Sequence, residues 1–262
     1  MCLPALYANA AGADGITCPA EHIDEYAVVR YVHDGDTVRL RDGRRIRLIG
    51  INAPELAIDD RPAQAMATDA RDALRAAISA RGNRVGLVFG EQREDHYGRT
   101  LAHLFGPDGD NLQAGLLEQG LAATLTIPPN DSFSDCYRQA EHTARCKRSG
   151  LWSLPGFAST TSTALESGAS GFRLVNAEVR HVSRSAKGVW LRLSGGLLVG
   201  IRTADLADFD ENELLALKGK SIRVRGWLQP KKHGEEHDIR FYMRIRHPAA
   251  LEIQPADSGA KC

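Results

Sequence analysis

Apolar and polar positions alternate between residues 26 and 51. Val28, Arg30 and Val32 oppose Val29 and Tyr31, and Ile46, Leu48 and Gly50 oppose Arg45, Arg47, Ile49 and Ile51. A period of two is that of half-buried strands, and Asp42-Gly43 between the two runs marks a tight hairpin turn. The period then lengthens. Met66, Ala70, Ala73, Leu74, Ala77 and Ile78 fall on one side of a helix predicted over 62–80, with Pro62 in its first turn. Short strands follow near 84–89 and 100–105, separated by the charged stretch 91–95, and 107–110 reads as a turn. Asn111 is placed to cap a helix carrying Leu112, Leu116 and Leu117, which Gly120 ends. A last helix is predicted over 134–149, stopped by Gly150 just before Trp152.

Residues 155–170 are small and hydroxyl-rich without periodicity, which reads as a flexible linker. Beyond it, strand-like runs recur at 172–182, 188–193, 196–202, 221–228 and 239–246, with a helical segment at 212–217 between the third and fourth. Five strands with a helix after the third is the order of a small OB-type barrel. The pattern predicts a mainly β, α+β chain: an arm at 1–25, a first domain at 26–154 with about three helices, the linker, a second barrel at 171–255 and a tail at 256–262.

Charge divides along the same line. The formal net charge is zero, yet residues 1–170 hold 17 Lys/Arg against 22 Asp/Glu, and residues 171–262 hold 16 against 11. A basic C-terminal part suits a polyanion partner. Arg223 and Arg225, and Arg240, Tyr242, Arg244 and Arg246, repeat at period two, so each set shares one strand face. Such a face fits single-stranded nucleic acid, and equally the solvated outside of a structural barrel. No apolar run approaches the ~20 residues that span a bilayer, so membrane insertion is not expected. The apolar start at residues 1–7, followed by Ala8-Asn9-Ala10, looks like the end of a secretory signal, which predicts a periplasmic or secreted protein. Cys18, Cys136, Cys146 and Cys262 would then remain, and four cysteines allow three pairings. Cys136 and Cys146 are about 15 Å apart along one helix, too far for a bridge. A link from Cys18 to Cys136, pinning the arm to the last helix, is the preferred choice among the pairings left open. Neither Cys-x-x-Cys nor His-Glu-x-x-His occurs, so zinc has little support.

Candidate chemistry is concentrated in three segments: His33-Asp34-Gly35-Asp36-Thr37-Val38, then residues 47–55 (Arg-Leu-Ile-Gly-Ile-Asn-Ala-Pro-Glu), then His96-Tyr97-Gly98-Arg99. Asp36, Asn52 and the Ala53 carbonyl offer only oxygens, which suits a hard cation. Arg47 and Arg99 can clamp a phosphate diester and stabilise charge building on its oxygens. Glu55 is a spare carboxylate able to orient or deprotonate a water. This combination fits phosphoryl transfer. The plain alternatives are a turn role for Asp36 and Glu55, and a surface ion pair of Arg99 with Glu94 or Asp95.

In order and spacing these segments resemble the staphylococcal-type thermonuclease family, calcium nucleases built on an OB-fold barrel. The likeness runs from about Val28 to Trp152 and includes Gly-Leu-Ala at 120–122 and Gly-Leu-Trp at 150–152. It implies calcium held by Asp36, Asn52 and the Ala53 carbonyl, phosphate held by Arg47 and Arg99, and water activated by Glu55. Tyr97 matches an aromatic that touches the nucleotide phosphate. The implied reaction is in-line hydrolysis of DNA or RNA that leaves a 3′-phosphate. Two departures stand out. Asn52 replaces an aspartate, removing one negative charge from the cation site. Thr126 and Pro128 replace tyrosines that pack on the terminal nucleotide. The rival reading is a non-enzymatic nucleic-acid-binding scaffold. The chain reads as a monomer, and no residue pattern points to a protein partner.

Overall fold

The computed structural model describes residues 16–155, 157, 160–231 and 238–255. The signal-like start, Cys262 and the tail at 256–262 lie outside them. The first domain opens with β1 (Glu25–Val32), β2 (Thr37–Leu40), β3 (Arg45–Leu48) and β4 (Gly50–Asn52). After α1 (Ala67–Ser79) come β5 (Arg84–Glu94) and β6 (Thr100–Phe105). Then follow α2 (Leu112–Glu118), β7 (Ala123–Leu125) and α3 (Ser134–Lys147). Five strands close into a barrel in the order β1-β2-β3-β6-β5, in which β3 and β6 are the parallel pair. Alternate residues point inward, so Val38, Ile46, Leu48, Leu87 and Leu104 form the core while Arg39 and Arg45 face water.

The strand expected to continue through Ile51 breaks at Gly50. That residue has φ of 86°, and a Cβ there would lie 2.4 Å from the Tyr137 ring, so only glycine fits. Beyond the break, β4 leaves the barrel and pairs antiparallel with β7. The first helix begins later than the apolar spacing predicts. Residues 62–66 are not helical because Gln64 bonds to Glu55 and Met66 has φ of 66°. Asn111 caps α2 as expected, its side chain accepting from the Ala114 N–H. Cys18 and Cys136 are joined by a disulfide that closes 118 residues and fastens the N-terminal arm to α3.

The second domain contains β8 (Gly171–Ser185), β9 (Gly188–Leu193) and β10 (Leu197–Arg202), then α4 (Glu211–Leu215). It ends with β11 (Ser221–Pro230), β12 (Phe241–Arg244) and β13 (Leu251–Ile253). The pairings run β8-β9-β10-β12-β11, and β11 returns to β8, with β10 and β12 parallel. Counted from the first strand of each, both barrels have the same order, 1-2-3-5-4, with a helix after the third strand. β13 adds to the edge of β11 and is not foreshadowed in the alternation. The hydroxyl-rich stretch before β8 packs on this barrel: Ser162 and Leu165 are buried, and Thr161 bridges to Asn176.

The basic face divides in two. Arg225 is 4 % exposed and pairs with Glu141 of α3 at 2.8 Å, so its side of β11 is turned to the first barrel and not to solvent. Arg244 and Arg246 both pair with Asp205.

Candidate functional site

The turn from β1 to β2 places Asp36 at the rim of the first barrel, 5 % exposed. Its backbone is held from two sides: its N–H donates to Asp34 Oδ1 (3.0 Å), and its carbonyl accepts from the Leu48 N–H (2.8 Å). Its carboxylate gathers the other segments. Oδ2 accepts from the Ala53 N–H at 2.8 Å and pairs with Arg47 Nη2 at 3.1 Å, while Oδ1 accepts from the Thr37 hydroxyl at 3.1 Å. Asp36, Arg47 and the Asn52-Ala53 step therefore meet at one point. β3 supplies Arg47, and the β4–β7 pairing turns the chain so that Asn52 and Ala53 come back over Asp36. The Asn52 amide N–H donates to the Ala53 carbonyl (3.4 Å).

Burial pushes the Asp36 carboxyl up from the ordinary carboxylate range. Arg47 pulls it down, and the neighbouring Asp34 pushes it up again. Asp34 and Asp36 are both buried, and the one guanidinium paired with either among the described residues is that of Arg47 on Asp36, which leaves the site short of positive charge. The oxygens nearest in sequence to that deficit are the Asp36 carboxylate, the Asn52 side-chain oxygen and the Ala53 carbonyl; the bonds bring the Ala53 N–H to Asp36, while the Ala53 carbonyl accepts from the Asn52 amide. Oxygens around a charge deficit fit a hard divalent cation. Among the described residues no three His, Cys, Asp or Glu side chains converge on one point. A cation here would therefore rely on amide and backbone oxygens as well as carboxylate.

Glu55 follows two residues after Ala53 on an exposed turn. The sequence motif does not reveal what fixes it. Gln64 clamps its backbone, with the Glu55 N–H donating to Gln64 Oε1 (3.1 Å) and the Gln64 N–H to the Glu55 carbonyl (2.8 Å). The side chain is left to face solvent. Arg99 immediately precedes β6, and Thr100 is in register with Ile46, so Arg99 lies alongside β3 two positions from Arg47. Strand geometry puts the two Cα atoms about 8 Å apart on neighbouring strands. The Arg99 guanidinium is bound to Asp95 (2.7 Å) and lies 5.3 Å from the centre of the Tyr97 ring. Burial acts upward on Asp95, but the bonds from Arg99 and from the Tyr97 N–H hold its carboxyl below the usual range. Tyr97 is 63 % exposed, and its carbonyl accepts from Arg45 (2.8 Å). His33 and His96 face water, and Trp152 and Phe105 are core.

Thr126 bonds to Ser134 (2.9 Å), and neither it nor Pro128 presents an aromatic ring to this rim. A cavity of about 450 Å³ opens beside Asn52, walled by the first barrel on one side and by Phe172 and Arg173 of β8 on the other. Its far wall belongs to a separate stretch of sequence, so no motif announces it.

The model for staphylococcal nuclease homologues matches residues 45–154 and stops before the second barrel. A thermonuclease of Staphylococcus intermedius is 33% identical over 131 residues, covering 49% of this chain and 76% of that protein. A thermonuclease of Staphylococcus hyicus is 31% identical over 132 residues, covering 49% and 75%. The endonuclease YncB of Bacillus subtilis is 29% identical over 129 residues, covering 47% and 60%. With these motifs on this barrel, the chain belongs to the staphylococcal nuclease family.

Proposed function

We propose that the first barrel is a calcium-dependent nuclease that hydrolyses phosphodiester bonds in DNA or RNA and leaves 3′-phosphates. The observation that carries this reading is the convergence of Arg47 and the Ala53 N–H on one buried carboxylate, Asp36; Glu55 follows Ala53 by two residues, and Arg99 precedes the strand paired with that of Arg47. Calcium would be held by Asp36, Asn52 Oδ1 and the Ala53 carbonyl, where it would lower the negative charge that opposes attack on a phosphodiester. Arg47 and Arg99 grip the non-bridging oxygens and offset the charge that grows on them. Glu55 takes a proton from the attacking water as its oxygen bonds to phosphorus. The bond from phosphorus to the 5′-oxygen breaks, and that oxygen leaves as a hydroxyl after gaining a proton from solvent. Tyr97 lies over the phosphate. An exported location is supported by the Cys18–Cys136 disulfide, since such bonds persist in oxidising compartments.

Labelled DNA and RNA incubated with calcium, and in parallel with chelator, test the proposal. Cleavage should require the cation. Glu55→Gln should lower kcat by about 10³-fold, within the usual range for a lost general base. Arg99→Ala should cost about 10²-fold or more. Full activity in both variants refutes these assignments, and salt-sensitive binding without cleavage identifies a scaffold.

A further inference from the structure

The cavity of about 450 Å³ between the barrels has the size of a small-ligand site. Its near wall adjoins the candidate site through two residues. Asn52 is one of the candidate cation ligands, and Gln64 is the residue that clamps the Glu55 backbone. Its far wall is aromatic and basic. Phe172 lines it, and in-register Trp227 on β11 meets the Phe172 ring edge-to-face, with centroids 5.8 Å apart. Trp227 is 44 % exposed. Arg173 lines the same wall and donates to the Phe172 carbonyl (2.8 Å). The distance from this wall to Asn52 is fixed by the inter-barrel contact, because Arg225, two residues before Trp227, is bound to Glu141 and Thr124.

We propose that this cleft receives an unpaired nucleobase of the strand held at the cation site, with Phe172 as its stacking surface and Arg173 facing an adjacent phosphate. This deepens the nuclease reading and rests on it for the direction from which the strand arrives. Two observations select a nucleobase. The cleft is lined by Asn52 on one side, and its far wall joins a flat apolar ring, Phe172, to the Arg173 guanidinium. A base can enter only after leaving its duplex partner, so the strand bound here is single-stranded.

The test compares a single-stranded thymidine octamer with the same octamer carrying abasic residues on both sides of the cleaved linkage, using the full-length protein. Dissociation constants are measured by fluorescence anisotropy in chelator, and KM in calcium. Phe172→Ala should weaken binding of the base-bearing octamer by about tenfold, the loss of one stacked base. It should leave the abasic octamer nearly unchanged and kcat within a factor of two or so, since no reacting atom is touched. Arg173→Gln, which alters no packed ring, should weaken both octamers several-fold and reduce the slope of log K against log salt by about one charge. Equal affinity of Phe172→Ala and the parent for the base-bearing octamer overturns the proposal. So does an equal loss on the abasic one. If the parent cleaves nothing while the base-dependent loss persists in anisotropy, the nuclease reading fails and the cleft assignment stands.

Discussion

Asp36 is the residue on which the candidate site turns, and the charge around it sets what its neighbours can do. Burial raises its pKa, and a single guanidinium, Arg47, offsets that rise. In the proposed cation site Asn52 would supply an oxygen without a charge. Asn52→Asp should therefore tighten calcium binding. Two unit charges 4 Å apart interact by about 4 kcal/mol at an effective dielectric of 20, and a third of that is about tenfold in affinity. The calcium concentration giving half-maximal cleavage should fall accordingly, while the metal-free variant should melt at a lower temperature because three carboxylates then crowd one rim. A second buried group titrates alone. His103 lies 2.8 Å from the Tyr137 hydroxyl, and burial lowers its pKa to about 3. The unfolded chain takes up this proton near pH 6.5, so between there and about pH 3 each falling unit removes about 1.4 kcal/mol of stability. Urea unfolding at pH 7 and pH 5 should show the parent losing about 2 kcal/mol more than His103→Asn. Equal losses would mean that the imidazole is protonated in the fold. At this scale the sequence is informative where the contacts are local. Asp36, Arg47 and Ala53 lie within two short segments whose spacing already suggests a shared site. The Gln64 clamp on Glu55 is not legible, because nothing in a glutamine among small residues marks its partner.

At the scale of elements, strands are legible where one face is wet and the other dry, as in Val28 to Val32 and Ile222 to Leu228, because alternation records that asymmetry directly. Short edges such as β13 carry too few residues to show a period. The start of α1 is hidden for a different reason: the apolar spacing extends back to Met66, but bonding of Gln64 to Glu55 and the left-handed backbone of Met66 take priority over helix propensity. Gly50 shows how one small residue changes an element's role. Because the Tyr137 ring occupies the space where a Cβ would be, β4 leaves the barrel and brings Asn52 toward Asp36. Gly50→Ala should therefore cost several kcal/mol or prevent folding, through strain at positive φ and displacement of a buried ring. The N-terminal arm depends on a covalent tie. Cys18 is buried and bonded to Cys136 of α3, closing 118 residues. The double variant Cys18→Ser/Cys136→Ser should lose about 2–5 kcal/mol in urea unfolding, largely through the entropy regained by the unfolded chain. A loss below about 1 kcal/mol would show that packing alone secures the arm.

Across the whole molecule, the opposite charges of the two halves acquire a structural meaning that composition alone does not give. Part of the basic excess of residues 171–262 is directed at the first barrel. Arg225 bonds to both oxygens of Glu141 at 2.8 Å, and Glu252 pairs with Arg145 of α3, with Arg223 and with Arg225. Glu141 also accepts from the Thr124 N–H of β7, the strand paired with β4, so the junction reaches the element that carries Asn52. The cluster is asymmetric. Arg225 has two carboxylate partners, whereas Glu141 has Arg225 as its one cationic contact among the described residues. Removing the arginine strands a buried carboxylate, while neutralising Glu141 leaves Arg225 still paired with Glu252. Breaking a buried pair from the side that leaves an uncompensated charge costs about 3–5 kcal/mol. Arg225→Gln should fall in that range and Glu141→Gln clearly below it. The double variant should be less destabilised than the sum of the two, because it no longer buries a lone charge. Chemical denaturation of the four proteins at pH 7 completes the cycle. Additive losses, or a Glu141→Gln cost equal to that of Arg225→Gln, would show that the barrels are held together by their apolar contacts around Trp152 and Leu174 and not by this pair.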